Sequence, residues 1–292
     1  MDVADHEAVA FYQGHGWYVT DRLIPDDLVD AAAETLRTLE SVPRDRVLPE
    51  SLRDFLAWEP GQPRPVRLNQ YIALQYRSVA ALAQFPPIAR LASALSGSPV
   101  VRIFNTALIS KKPGVESKFS RVGWHADQAY WETCSSARMI TAWVPFQDTT
   151  AAMGTLTVVD GSHRWPDTPE VRELRAAKTF VTRDHDELRR KLEAVGLAIS
   201  LREVRLRKGQ VSFHHPLTFH GSGVNRTNTD RNAISVHFQD GDNHYRPATG
   251  PDGTPASYVH DDFVRRTPDG APDYADPDFC PVVWPAPSAR AS

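Results

Sequence analysis

Trp124-His125-Ala126-Asp127 is the stretch on which the fold of this 292-residue chain turns, together with Phe213-His214-His215-Pro216-Leu217-Thr218-Phe219-His220-Gly221-Ser222-Gly223-Val224-Asn225 and the Arg231 that follows it. In extended backbone, the period of two sends the His125 and Asp127 side chains to one face. One imidazole and one carboxylate so placed can take adjacent positions on a metal. Alone, the H-x-D pair is also the pattern of a surface turn or of a simple His–Asp hydrogen bond. The second stretch changes the balance. His220 would end a strand with Leu217 and Phe219 as apolar neighbours, and its ring could meet the first pair across a barrel. Two His and one carboxylate occupy one face of an octahedral Fe(II) and leave positions open for a bidentate cosubstrate and O2. Zinc also accepts these donors, so ligand identity alone does not choose the metal.

Arg231 opens a further strand, on which it shares a face with Ala233, Ser235 and His237, while Ile234, Val236 and Phe238 face the other way. A guanidinium pointing into a barrel needs an anion, because an unpaired buried charge is very costly, and its planar fork suits a carboxylate. The other possibility is an ordinary surface pair with Asp230 or Asp240.

Outward from these stretches, segments 100–110, 138–147, 154–160, 209–214, 217–220 and 231–239 are short, rich in β-branched and aromatic residues, and separated by Gly, Pro, Asn and Asp. That rhythm predicts an antiparallel sandwich or barrel. Before it, residues 5–14 predict a helix closed by Gly14, 17–20 a strand, and Pro25-Asp-Asp opens an amphipathic helix with Leu28, Val29, Ala32, Leu36 and Leu39 on one face. Residues 43–65 look irregular, and 78–96 helical with a break at Pro86-Pro87. A helical insertion is expected within about 165–208, centred on 184–196. The last 52 residues hold nine of the 23 prolines and read as an extended wrap. The expectation is α+β, mainly β, in one domain over 1–292: N-terminal support to 99, barrel core over 100–240, wrap over 241–292.

Bulk composition narrows the function classes. Hydrophobic residues at 41% and charged ones at 24% exclude wholesale disorder, and a net charge of −3 argues against nucleic acid or an anionic membrane as partner. No apolar run approaches the roughly 18 residues needed to span a bilayer. Cys134 and Cys280 form no C-x-x-C pair, which argues against a disulfide framework or thiolate zinc site, and no signal-peptide pattern opens the chain. The expected location is the cytoplasm; oligomeric state is not readable.

The ordered set of motifs resembles the phytanoyl-CoA dioxygenase-like (PhyH) branch of the Fe(II)/2-oxoglutarate oxygenases. Its carriers are Leu108-Ile-Ser-Lys-Lys-Pro-Gly114, Trp124-His-Ala-Asp127, Thr141-Ala-Trp143, Gly154-Thr-Leu-Thr-Val-Val-Asp-Gly-Ser-His163, and His220-Gly-Ser-Gly-Val-Asn225 with Arg231, about 107–238 in all. The resemblance implies a double-stranded β-helix, a jelly-roll or cupin-like barrel buttressed by the N-terminal helices. It implies Fe(II), 2-oxoglutarate as cosubstrate and O2, with iron held by His125, Asp127 and His220. It further implies Arg231 on the distal carboxylate of 2-oxoglutarate, Ser222 beside it, Trp143 against the cosubstrate and Ala107 lining the same pocket. Met153 stands where the family usually has Asn or Asp before Gly154, a change confined to a turn. Related halogenases have Gly or Ala at the position of Asp127, so retention of the carboxylate favours hydroxylation.

Candidate substrate residues are Gln128, Tyr130, Trp131, Asn69, Gln70, Tyr71 and His237, and the 111–122 loop and the tail are candidate lids. This wall suits a small, partly apolar metabolite and a tailoring step in bacterial secondary metabolism. Desaturation, cyclisation and epimerisation share every motif with hydroxylation. Two other classes use the same fold: a cupin-like metal-dependent isomerase or hydrolase without 2-oxoglutarate, and a silent binding protein. Gly161-Ser-His163 reads as a structural turn, and His214 and His215 as packing or supporting residues.

Overall fold

Strand β10 (Arg231–Asp240) is the central element of the computed structural model, which describes residues 3–37, 39, 43–46, 48, 66–114, 120–178, 190–191, 193–197, 199–250 and 253–285. Its alternation of buried apolar and buried polar residues requires cover on both faces, and it has cover on both. It pairs antiparallel with β3 (Val101–Lys111) on one edge and β5 (Ile140–Pro145) on the other. The larger sheet continues through β8 (Ser212–His214) to β1 (Trp17–Val19) on one side. On the other side, β2 (Val66–Gln70) and β11 (Val282–Trp284) share the free edge of β3. A smaller antiparallel sheet runs β4 (Val122–His125), β9 (His220–Ser222), β6 (Leu156–Val159) and β7 (Leu201–Glu203). The two sheets form the jelly-roll arrangement expected.

The outer face of the larger sheet carries the main core. Ile234, Val236 and Phe238 of β10, with Ile103 and Leu108 of β3, pack against Val29 and Ala32 of α2 (Asp26–Arg37) and against Ile88 and Leu95 of α5 (Pro86–Ser96). The supporting helices are α1 (Val3–His15), α2, α3 (Ile72–Gln75), α4 (Arg77–Ala83) and α5. The expected 78–96 helix is therefore two helices, and α5 begins at the Pro86-Pro87 step because proline is accepted in a first turn. The N-terminal helix runs past Gly14 and stops at Gly16, whose φ of +78° is left-handed and whose missing Cβ leaves room for His163 and Thr218.

A bulge in β3 sets which residues reach the interior. Pairing with β10 skips from His237↔Asn105 to Phe238↔Ile103, so Phe104 is the extra residue. Before it, Val101 and Ile103 lie in the outer core; after it, Asn105, Ala107 and Ile109 face the cavity between the sheets. Strict alternation would have turned Asn105 the other way.

Other differences from the sequence expectation are local. His220 opens β9 instead of ending a strand, and Asp127 begins a single 3-10 turn (Asp127–Tyr130) after β4. β2 was not anticipated. The inserted segment contains α6 (Pro169–Ala176), whose Thr168 side chain accepts a hydrogen bond from the Val171 amide. Most of the helix expected over 184–196, and most of 43–65, lies outside the described residues. In the C-terminal segment β11 extends the larger sheet, Tyr258 stacks on Phe104 and Tyr274 meets the same ring edge-on. No described helix is long and apolar enough to cross a membrane.

Because Phe238 is fully buried in the core that joins sheet and helices, Phe238→Ala should lose about 3–5 kcal/mol of unfolding free energy in urea titrations. A loss below 1 kcal/mol would mean that this core is not what seats β10.

Candidate functional site

His125, at the end of β4, and His220, at the start of β9, are cross-strand partners, so register alone brings their rings to a centroid separation of 4.2 Å. The turn after Ala126 then carries the Asp127 carboxylate between them. Asp127 Oδ1 lies 3.6 Å from His125 Nε2 and 3.5 Å from His220 Nε2. All three ligand atoms lie within 4.8 Å of one another, close enough to share one metal ion. Both rings are oriented from behind. His125 Nδ1 donates to the Gly123 carbonyl at 2.7 Å and His220 Nδ1 to the Thr218 carbonyl at 3.0 Å, so each Nε2 presents a lone pair.

The second Asp127 oxygen is held by the larger sheet. Oδ2 accepts from Thr141 Oγ1 at 2.7 Å and from His214 Nε2 at 3.1 Å, and His237 Nδ1 bonds Thr141 Oγ1 at 2.8 Å. His214, Thr141, His237 and Asn105 are successive cross-strand partners on β8, β5, β10 and β3, so one row across four strands supplies this support. Burial lowers the pKa of His125 and, more strongly, of His220, and pushes His237 down to about 4. For Asp127 burial works the other way, but the surrounding imidazoles of His220, His214 and His237 outweigh it and hold the carboxyl well below the usual range. Burial thus favours the neutral form of the His125 and His220 rings, the form in which an imidazole nitrogen can bind a divalent cation.

Across the same cavity, of about 230 Å³, Arg231 is 2% exposed. It has no carboxylate partner among the described residues, and its Nε makes no hydrogen bond. Asp230 and Asp240, the candidate surface partners, are instead paired with Lys112 and Arg138. Trp143 places its ring 5.7 Å from the Arg231 guanidinium carbon. Lys111, the cross-strand partner of Arg231, is also buried, but its ammonium donates to the Ser222 and Gly223 carbonyls. Arg231 is therefore a buried cation left for a ligand, and a carboxylate entering this cavity would satisfy it.

Most of the candidate residues converge. Ser222, Ala107, Trp143, Gln70, Tyr130, Trp131 and His237 line the cavity with the triad and Arg231. Three do not. The Gln128 amide turns back to the Trp131 carbonyl, Asn69 accepts from Arg67, and Tyr71 is buried in a separate cluster with Leu48. Of the proposed lids, 115–119 lies outside the described residues, and the tail contributes Tyr258 to the wall. His163 serves a turn, as expected, through Nε2 and the Gln13 carbonyl. Sequence reasoning missed Asn105 and Tyr258 as lining residues and the support of Asp127 by Thr141. Thr141 was within reach, since it shares a strand face with Trp143; Asn105 was hidden by the bulge.

Comparison with known proteins adds the following. A family model described as phytanoyl-CoA dioxygenase (PhyH) matches residues 12–233. Human peroxisomal phytanoyl-CoA dioxygenase is 27% identical over 252 residues, covering 82% of this chain and 70% of that protein. The non-haem α-ketoglutarate-dependent epimerase SnoN from nogalamycin biosynthesis superposes with a TM-score of 0.68 at 25% identity, covering 96% of this chain and 98% of its own. EctD from S. alaskensis, solved with 2-oxoglutarate and 5-hydroxyectoine, shares the fold at a TM-score of 0.63 and 20% identity, over 87% of this chain and 81% of its own.

Two outcomes follow from the geometry. Thr141→Val keeps the side-chain shape but removes the hydrogen bond to Asp127, so affinity for Fe(II), measured by anaerobic titration, should fall about 10–100-fold. The buried rings also set an acid limit on the metal-free protein. His215 and His237 are depressed to about 3 and about 4 when folded, against roughly 6.5 unfolded, so below pH 6.5 the unfolded chain binds more protons. Their contribution to stability is complete above that pH and is lost as pH falls toward 4 and 3. Urea midpoints should decline over this window, and a flat profile from pH 7 to 4 would contradict it.

Proposed function

The chain belongs to the phytanoyl-CoA dioxygenase family of iron- and 2-oxoglutarate-dependent oxygenases, and within that family we propose that it hydroxylates an unactivated C–H of a small, partly apolar metabolite, as a tailoring step in bacterial secondary metabolism. The observation that carries this is Arg231: a buried guanidinium with no carboxylate partner among the described residues, in one cavity with a two-His, one-Asp triad. A non-oxidative metal enzyme would use the triad but has no need of a buried cation awaiting an anion.

In this proposal His125, Asp127 and His220 would hold Fe(II), which would bind 2-oxoglutarate and O2. Arg231 and Ser222 take the C5 carboxylate, Trp143 covers the cosubstrate, and Ala107 leaves room for it. Bound iron supplies the activation of O2 that couples oxidative decarboxylation of the 2-oxo acid, to succinate and CO2, to oxidation of the substrate. The protein orients the substrate carbon near the metal and excludes bulk water through the apolar parts of the cavity wall. Asp127 occupies the position that a halide would need, which favours hydroxylation over halogenation.

We read 1–292 as one catalytic domain working in the cytoplasm, since both sheets contribute to the site. Epimerisation is the second reading, favoured by the near-complete overlap with SnoN at 25% identity.

Anaerobic addition of Fe(II) and 2-oxoglutarate should produce the weak visible charge-transfer band of the chelated cosubstrate. In Arg231→Ala the 2-oxoglutarate concentration needed to develop the band should rise at least about 30-fold. No band in the wild-type protein, with no 2-oxoglutarate consumed, would sink the oxygenase assignment. An unchanged requirement in the variant would remove Arg231 from it.

A further inference from the structure

The hydrogen bonds behind Asp127 also settle what His237 can do in front of it. The Asp127 carboxylate can only accept, so Thr141 commits its single hydroxyl hydrogen to Oδ2 at 2.7 Å. Thr141 Oγ1 is 2.8 Å from His237 Nδ1 and has no second hydrogen to give, so the imidazole donates. A neutral ring that donates from Nδ1 carries its lone pair on Nε2. No described residue hydrogen-bonds that nitrogen, and it is not sealed in the interior; the ring is part of the cavity wall, edge-on to Trp131.

Across the β3–β10 pair, the amide of Asn105 is fully used. Its Oδ1 accepts from the Tyr71 and Thr106 amides, and its Nδ2 donates to Gln70 Oε1 at 3.1 Å and to the Tyr258 hydroxyl at 2.8 Å. Those contacts fix the orientation of Asn105 and, through it, that of Gln70. With Gln70 Oε1 engaged, Gln70 Nε2 is left as a donor on the cavity side. This part of the wall thus offers the His237 acceptor and the Gln70 donor side by side, with the Tyr130 and Tyr258 phenols and the apolar surfaces of Leu68 and Trp131 around them. The only formal charges among the described lining residues are Asp127 and Arg231, already committed to the metal and the cosubstrate.

We propose that His237 is a specificity-determining residue whose Nε2 accepts a hydroxyl O–H of the substrate while Gln70 Nε2 donates to a substrate oxygen, so that the molecule brought to the metal is uncharged, hydroxyl-bearing and partly apolar. This rests on the oxygenase reading, which places a substrate in this cavity. A carboxylate, phosphate or ammonium group at this wall finds no counter-charge and would be stripped of water without compensation. The hydroxyl is selected for the complementary reason: an analogue that cannot donate leaves the His237 lone pair unmatched.

Two measurements test it. In ¹⁵N-histidine-labelled protein with zinc in place of iron and 2-oxoglutarate bound, long-range ¹H–¹⁵N spectra should show His237 as the Nδ1–H tautomer, with an Nε2 resonance that moves on adding cyclohexanol. The anaerobic Fe(II)–2-oxoglutarate protein is then titrated with cyclohexanol, methoxycyclohexane and cyclohexanecarboxylate, following the perturbation of the visible band. Cyclohexanol should bind about tenfold more tightly than its methyl ether, the worth of one neutral hydrogen bond, and the carboxylate most weakly. His237→Asn keeps a donor toward Thr141 but has no acceptor at the Nε2 position, and should erase the preference for alcohol over ether. Gln70→Leu should weaken both neutral probes equally, since both carry an oxygen that accepts. A proton on His237 Nε2, an Nε2 resonance that cyclohexanol does not move, an ether bound as tightly as the alcohol, or a preference for the carboxylate overturns the proposal. Absence of the visible band counts instead against the oxygenase assignment, and the tautomer measurement decides on His237 independently of it.

Discussion

A carboxylate buried between two sheets is the constraint from which the rest of the site follows. Stripping Asp127 of water costs several kcal/mol unless both of its oxygens find partners. Oδ2 is matched by Thr141 and His214 from the larger sheet, and Oδ1 faces His125 and His220 of the smaller one. Thr141 keeps an acceptor role and the rings of His125 and His220 each keep a donor, and those roles propagate outward. Thr141 becomes an acceptor for His237, His237 keeps a lone pair for the cavity, and the two ligand rings are turned by backbone carbonyls so that their free nitrogens converge. The His–Asp–His triad and the wall facing it are two ends of one hydrogen-bond chain.

Arg231 poses the opposite problem at the far side of the cavity. Its charge has no protein partner among the described residues, so the folded protein carries a desolvation cost that only a ligand can offset. Lys111 next to it avoids the same fate by donating to the Ser222 and Gly223 carbonyls. The two basic groups thus differ: Lys111 donates to the loop after β9, while the Arg231 Nε has no hydrogen-bond partner. Strand β10 carries the Arg231 guanidinium on its inner face and Ile234, Val236 and Phe238 in the outer core, so the packing that stabilises the barrel also positions that group in the cavity wall.

Much of this was legible in residue order. His125, Asp127, His220 and Arg231 were readable as one constellation because each is of a type that a barrel interior tolerates only with a partner. The face assignment on β10 followed from alternation alone, and the inner face of β5 could have been extended from Trp143 to Thr141 by the same rule. Asn105 was not legible. The bulge at Phe104 resets the period of β3, and nothing in Val101-Arg-Ile-Phe-Asn-Thr marks it. Tyr258 was not legible either, because a residue in a proline-rich tail takes its position from what the tail packs on, here Phe104 and Trp131. Gln128 and Tyr71 do not line the cavity for the converse reason: nearness in sequence to site residues does not choose the direction of a side chain in a 3-10 turn or at a left-handed residue.

By itself the amino-acid sequence determined the donor set, the strand periodicity and the presence of an internal cation, since these depend on residue identity and on a period of two. Only the tertiary structure decided that Asp127 reaches the two histidines from a turn, that Asn105 faces inward, and that His237 Nδ1 meets the Thr141 hydroxyl. Those outcomes depend on register, on one extra residue in one strand, and on which neighbour has already given up its only hydrogen. Such contacts exist only between segments far apart in the chain.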